Sequence, residues 1–186
     1  MTGRPPRDLE LREVTAFHEA GHTVAALMRG GSSLLSVSLS DTTHGEGITW
    51  HRSKPSDRAF IAYAGPWAEV RHAWGDLALD GLDDDGCTFD DALAACLAFG
   101  GGADDATIIV AGLSVEGVAA EIGINAEDPG IPAWLRDWIH ETLSAREAIW
   151  RRELEQEWPV IEVVAARLLA GDEVTGDQIA AALATT

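Results

Sequence analysis

Two histidines four residues apart, His18 and His22, with Glu19 directly after the first, are the residues of this chain best spaced to do chemistry. On a helix, positions i and i+4 share a face, so both imidazoles can bind one metal ion. Glu19 is rotated by about 100° around the axis, where its carboxylate can reach a water on an open position of that metal. This is the H-E-x-x-H arrangement of zinc hydrolases, with two ligands, a general base and a third ligand supplied from elsewhere. A catalytic zinc takes three protein ligands and keeps one position open. The side chains that could complete the set are His44, His51, Glu69, His72, Asp90, Asp91, Asp104, Asp105 and His140. An acid in the first turn of a helix after a flexible glycine run can swing toward a metal, which favours Asp104 or Asp105. Simple N-capping is the competing use of that pair.

These residues need elements to position them. Residues 8–28 read as one helix, with Asp8 as its cap, Leu11, Val14, Ala25 and Ala26 on the histidine side, and Gly30-Gly31 as its stop. Residues 34–39 alternate as a half-buried strand does, and Ile48-Thr49-Trp50 reads as a second strand. The turn-rich loop between them carries His44 and Glu46, read as turn residues. The two strands predict a small sheet beside the helix, with an exposed edge able to hold an extended peptide. A helix capped by Ser56 or Asp57 runs from 58, is interrupted near Gly65-Pro66, and continues to Trp74. An acidic loop follows over 75–88, then a helix over 89–99, the joint Gly100-Gly101-Gly102, a helix led by Asp104-Asp105, and a short helix over 114–122. After the break at 129–132, a long amphipathic helix (133–157) carries Trp134, Trp138 and Trp150 as a packing stripe. Pro159 marks a restart, and Thr175 with Gln178 forms a capping box for the last helix. The expected organisation is a lead-in over 1–7, a core over 8–132 and a helical C-terminal part over 133–186, packed on the core.

At this point the residues resemble a family. His18-Glu-Ala-Gly-His22-Thr-Val-Ala-Ala is similar to the active-site helix of the FtsH-type zinc peptidases. Leu35-Ser-Val-Ser-Leu39, with Gly47-Ile-Thr after it, resembles that family's edge strand and following turn. Tyr63-Ala-Gly-Pro-Trp-Ala-Glu69 resembles its Gly-Gly-Arg-Ala-Ala-Glu segment, and Gly102-Ala-Asp-Asp105 its Gly-Ala-x-Asn-Asp, whose last Asp is the third zinc ligand. The resemblance implies an α+β, mainly helical zincin-like peptidase domain with a small sheet next to the active-site helix. It implies one zinc ion on His18, His22 and Asp105, with Asp104 as the alternate, Glu19 as general base, and Glu69 supporting a ligand through a hydrogen bond. The implied activity is hydrolysis of a polypeptide substrate. The alternative is a non-catalytic relative that keeps the scaffold for metal or peptide binding. The chain departs from the family in lacking a membrane anchor and a Walker-type ATPase motif, and 77–100 looks inserted. Substrate would then arrive unfolded, or through a delivery partner or a homo-oligomer.

Composition narrows the classes. The 186 residues are 46% hydrophobic, enough for one domain with a sizeable core, and carry a net charge of −18. Residues 75–135 hold 13 acids and no Lys or Arg, which argues against nucleic acid as a partner. Apolar runs are too short for a membrane span, and no secretory core is evident, so a cytoplasmic location is expected. Cys87 and Cys96 fit neither a zinc spacing nor a disulfide framework. The Asp83-Asp84-Asp85-Gly86 run lacks the alternating ligands of a calcium loop, and His140 is read as a packed or surface histidine.

Overall fold

A computed structural model describes residues 7–29, 34–39, 47–99, 102–172 and 174–183. The expected lead-in over 1–7, apart from Arg7, and the loop with His44 and Glu46 lie outside these residues, as does the side chain of Asp8. Among the described residues the protein is mainly helical, with eight α-helices and one two-stranded antiparallel sheet. No described helix is long and apolar enough to cross a membrane.

The central element is α1 (Arg7–Met28). From Ala16 onward it is buried nearly all round, because it is sandwiched between α2 (Arg58–Trp74) and α7 (Trp158–Leu169). Its small residues decide how closely the helices approach. A Cβ at Gly21 would stand 2.2 Å from the Ala64 carbonyl oxygen, so only glycine fits. Gly21→Ala is expected to cost about 3 kcal/mol of stability. That corresponds to a fall of roughly 6–12 °C in Tm, readable by calorimetry.

The helix α2 departs from expectation. Gly65 and Pro66 do not interrupt it; one helix runs from Arg58 to Trp74 with Pro66 inside. Proline removes one backbone donor and crowds the preceding turn, but twelve residues of α2 are buried between its neighbours and hold it in register. Its start also differs. A 3-10 turn, Pro55–Asp57, precedes it, and Asp57 occupies the cap position without capping, since its carboxylate takes the Ser56 hydroxyl instead.

The strands β1 (Leu34–Leu39) and β2 (Gly47–His51) pair with Val37 opposite Thr49 and Leu39 opposite Gly47. The outer side of β1 is bridged at one residue. Val37 exchanges two backbone hydrogen bonds with Val174, at 3.1 and 3.2 Å. In a two-stranded sheet both β1 and β2 are edge strands, and that bridge covers β1 at one residue.

The remaining helices are α3 (Phe89–Phe99), α4 (Ala103–Gly112), α5 (Val115–Glu121), α6 (Ala133–Gln156) and α8 (Gly176–Leu183). The last opens on the expected cap, where the Thr175 N–H donates to Gln178 Oε1 at 2.8 Å. Trp150 and Leu154 of α6 and the inner face of α7 join the same core as α1 and α2. The tryptophan stripe is corrected in part. Trp150 is buried, but Trp134 and Trp138 are exposed, because only the C-terminal half of α6 reaches the main core. Cys96 is buried and Cys87 exposed, and neither is bridged.

Candidate metal centre

Three side chains from two elements converge. His18 and His22 project from the same face of α1, and their Nε2 atoms stand 3.0 Å apart. Asp105, in the first turn of α4, places Oδ2 3.4 Å from each Nε2. The ligand atoms of the three residues lie within 4.8 Å of one another, so this cluster could hold a metal ion. What brings α4 there is its packing on α2. Gly102 lies against the Pro66 ring, and a Cβ at Gly112 would stand 2.0 Å from that of Ala59.

The spacing of the donor atoms suits a tetrahedral ion. Zinc bonds of about 2.0–2.1 Å at tetrahedral angles set neighbouring ligand atoms about 3.3–3.4 Å apart, close to the three separations observed. The other ring nitrogens agree. His22 Nδ1 lies 2.7 Å from the Ile61 carbonyl oxygen, which can only accept, so Nδ1 carries the proton and Nε2 presents its lone pair. His18 Nδ1 lies 3.2 Å from Glu69 Oε2, a carboxylate doing the same for the second ring. Two lone pairs facing each other at 3.0 Å repel unless a proton or a metal ion sits between them. Gly65 of α2 leaves room for the rings, since a Cβ there would stand 2.4 Å from His22 Nε2.

Electrostatics point the same way. Burial disfavours charge on His18, but the hydrogen bonds to Asp105 and Glu69 and the nearby Glu19 outweigh it and push its pKa up to about 9. Burial likewise raises the Asp105 carboxyl, yet bonding to His18 and His22 prevails and holds it well below the usual carboxylate range. The pocket is built for positive charge at its centre. Glu69→Gln should keep the fold and weaken metal binding by about 10–100-fold, measured by competition with a chromophoric chelator.

Glu19 is buried, at 8% exposure, on the neighbouring face of α1. Thr49 of β2 donates to its Oε2 at 2.5 Å, a short, charge-assisted bond. Gly47 lets the strand come this close, because a Cβ there would stand 2.3 Å from Glu19 Cγ. Glu19, His22 and Asp105 line one cleft of about 700 Å³, walled by Gly47 and Thr49 of β2 and by Ile61 of α2.

The other candidate ligands go elsewhere. Asp104 points to solvent on α4, one position from Asp105. His72 stacks on Phe17 with ring centroids 3.8 Å apart and lies 3.5 Å from Glu13. Asp90 pairs with Arg151, and Asp91 caps α3 through Thr88. His140 is exposed. His51 closes β2 on the cleft wall, its Nδ1 buried without a partner among the described residues. Thr49, the Ile61 carbonyl and Gly65 were not singled out by sequence as parts of a site. The only signal was the presence of Gly47-Ile-Thr and of Gly65 in the segments that carry the family resemblance. No protein family, curated protein or solved structure matches this chain.

Proposed function

We propose that the protein is a zinc-dependent peptidase of the FtsH type, with a zincin-like core, in which His18, His22 and Asp105 hold the ion and Glu19 is the general base. The observation that carries this reading is the position of Glu19. A buried carboxylate, held by Thr49, opens into the same cleft as two members of the ligand cluster. A purely structural metal site has no use for such a group, and a fourth protein ligand would be expected in its place.

When bound, zinc would supply Lewis acidity toward a peptide carbonyl and toward water. The chain's own residues do the rest. Thr49 occupies Glu19 Oε2 and leaves Oε1 for the attacking water. Glu19 takes the water's proton as the oxygen adds to the carbonyl carbon, then delivers it to the amine as the C–N bond breaks. Glu69 and the Ile61 carbonyl keep both imidazoles aimed at the centre. The free edge of β2 can take an extended segment as an added strand beside Glu19. The experiment is incubation of zinc-loaded protein with a reduced, alkylated polypeptide. Fragments should appear, cease with chelator and return with zinc; an intact polypeptide would refute the reading.

A pH dependence follows. A metal needs neutral imidazole, whereas the metal-free His18, with its pKa near 9, is protonated at neutral pH. Metal and proton compete for one place. Zinc uptake at pH 7 should therefore release about one proton, and affinity should rise with pH until about 9 and then level off. Calorimetric titrations in buffers of different ionisation enthalpy count the proton.

A further inference from the structure

The cleft beside Glu19 has a cationic end, in a chain with 31 acids against 13 Lys and Arg. Arg52 follows β2 directly and Arg58 opens α2; both line the cleft that holds Glu19, His22 and Asp105. Of the other described arginines, Arg29, Arg71, Arg146 and Arg151 are tied to carboxylates, Arg136 donates to backbone carbonyls, and Arg12, Arg152 and Arg167 have no carboxylate partner among the described residues. Arg52 and Arg58 are exposed and have no carboxylate partner among the described residues. What sets Arg52 and Arg58 apart is that both line one cavity, the cleft beside Glu19.

Their distance from the reacting position gives the ligand's geometry. Glu19 is level with Gly47 and Thr49. From Thr49 to Arg52 an extended backbone advances about 10 Å. A peptide lying along β2 therefore brings a group two to three residues from its scissile bond to Arg52. Arg58 reaches the same end from α2, one helical turn before Ile61, whose carbonyl holds His22. Its charge is felt at His51, at the end of β2, where burial, His22 and then Arg58 together lower the imidazole's pKa.

We infer that Arg52 and Arg58 form a carboxylate subsite, which makes the cleft select peptides with an acidic side chain or a C-terminal carboxylate two to three residues from the scissile bond. The guanidinium fork matches a carboxylate in two parallel hydrogen bonds, which is where arginine differs from a bare positive charge. The inference rests on the peptidase reading for the position of the scissile bond, but the binding preference itself needs no turnover.

The test is fluorescence anisotropy with labelled, N-blocked hexapeptides, using zinc-loaded Glu19→Gln protein and the metal-free wild-type chain. One peptide has an internal Glu and an amidated end, one has Gln and a free carboxylate, one has Gln and an amide, and one has Lys and an amide. Moving the Glu along the first and lengthening the second tell a side chain from a C-terminus. A carboxylate-bearing peptide should bind roughly five- to tenfold tighter than the Gln amide. The Lys peptide should bind most weakly, the reverse of the order that net charge alone would give. In the Arg52→Ala/Arg58→Ala variant the ratio should fall to about one, and Lys at both positions should restore part of it. Equal binding of the Glu and Gln peptides, a preference that survives the double variant, or no binding of any peptide would overturn the inference. Cleavage of the same peptides by zinc-loaded wild type separates the two claims. Cleavage without preference removes the subsite and leaves the peptidase, whereas preference without cleavage does the opposite.

Discussion

Glu19→Gln is expected to retain one zinc per chain and the native fold while turnover of an unfolded polypeptide falls by about 10²–10⁴-fold. Glutamine has the shape of glutamate, and its carbonyl oxygen can still accept the Thr49 hydroxyl that now bonds Oε2. The packing against Gly47 is unchanged as well. What is lost is basicity at a buried acid that opens to the cleft. Initial rates and metal analysis on the same preparation check it. Turnover within tenfold of wild type at equal zinc content would remove Glu19 as the base.

The second large effect sets two neighbouring acids against each other. Asp105→Asn should weaken zinc binding more than 100-fold, beyond the range seen when only an outer partner of a ligand is lost, while Asp104→Asn leaves it unchanged. Asp105 Oδ2 stands 3.4 Å from both imidazoles, whereas Asp104 is turned to solvent. Asparagine keeps the size of the side chain but offers a neutral oxygen and no anion to balance the ion. Competition titrations with a chromophoric chelator measure both variants. Equal affinities for the two would mean that α4 does not deliver the third ligand.

That choice also marks the limit of what the sequence made legible. Helical spacing alone puts His18 and His22 on one face, and the strand alternation at 34–39 and the cap at Thr175 are similarly local signals. The histidine face, the strand and the cap appear where they were expected, but the alternation within the strand does not hold: a register shift between Leu34 and Ser36 leaves Leu34 and Val37 buried and Leu35 exposed. Asp104 and Asp105 differ by one position, about 100° on a helix, and which faces the histidines depends on how α4 rolls against α2. Gly102 on Pro66 and Gly112 on Ala59 set that roll, and neither contact is readable from spacing. Pro66 illustrates the converse. Its local signal says break, and burial on both sides of α2 overrides it. Trp134 and Trp138 have the period of a packed face, but no described element covers them. The bridge from Val174 to Val37 on β1, across more than 130 residues, likewise has no local signal. Supporting groups such as Thr49 and the Ile61 carbonyl carry no signature in sequence, because one is a common strand residue and the other is backbone.

Peptidase function at this site requires an ion on three side chains with its open position facing Glu19. Crystals of the zinc-loaded protein, measured on both sides of the zinc absorption edge, test it most directly. The predicted result is a single anomalous peak about 2.0–2.2 Å from His18 Nε2, His22 Nε2 and an Asp105 oxygen, with the fourth position open to the cleft beside Glu19. No peak at this site, or a fourth position filled by a protein side chain such as Glu69 or His51, would contradict it.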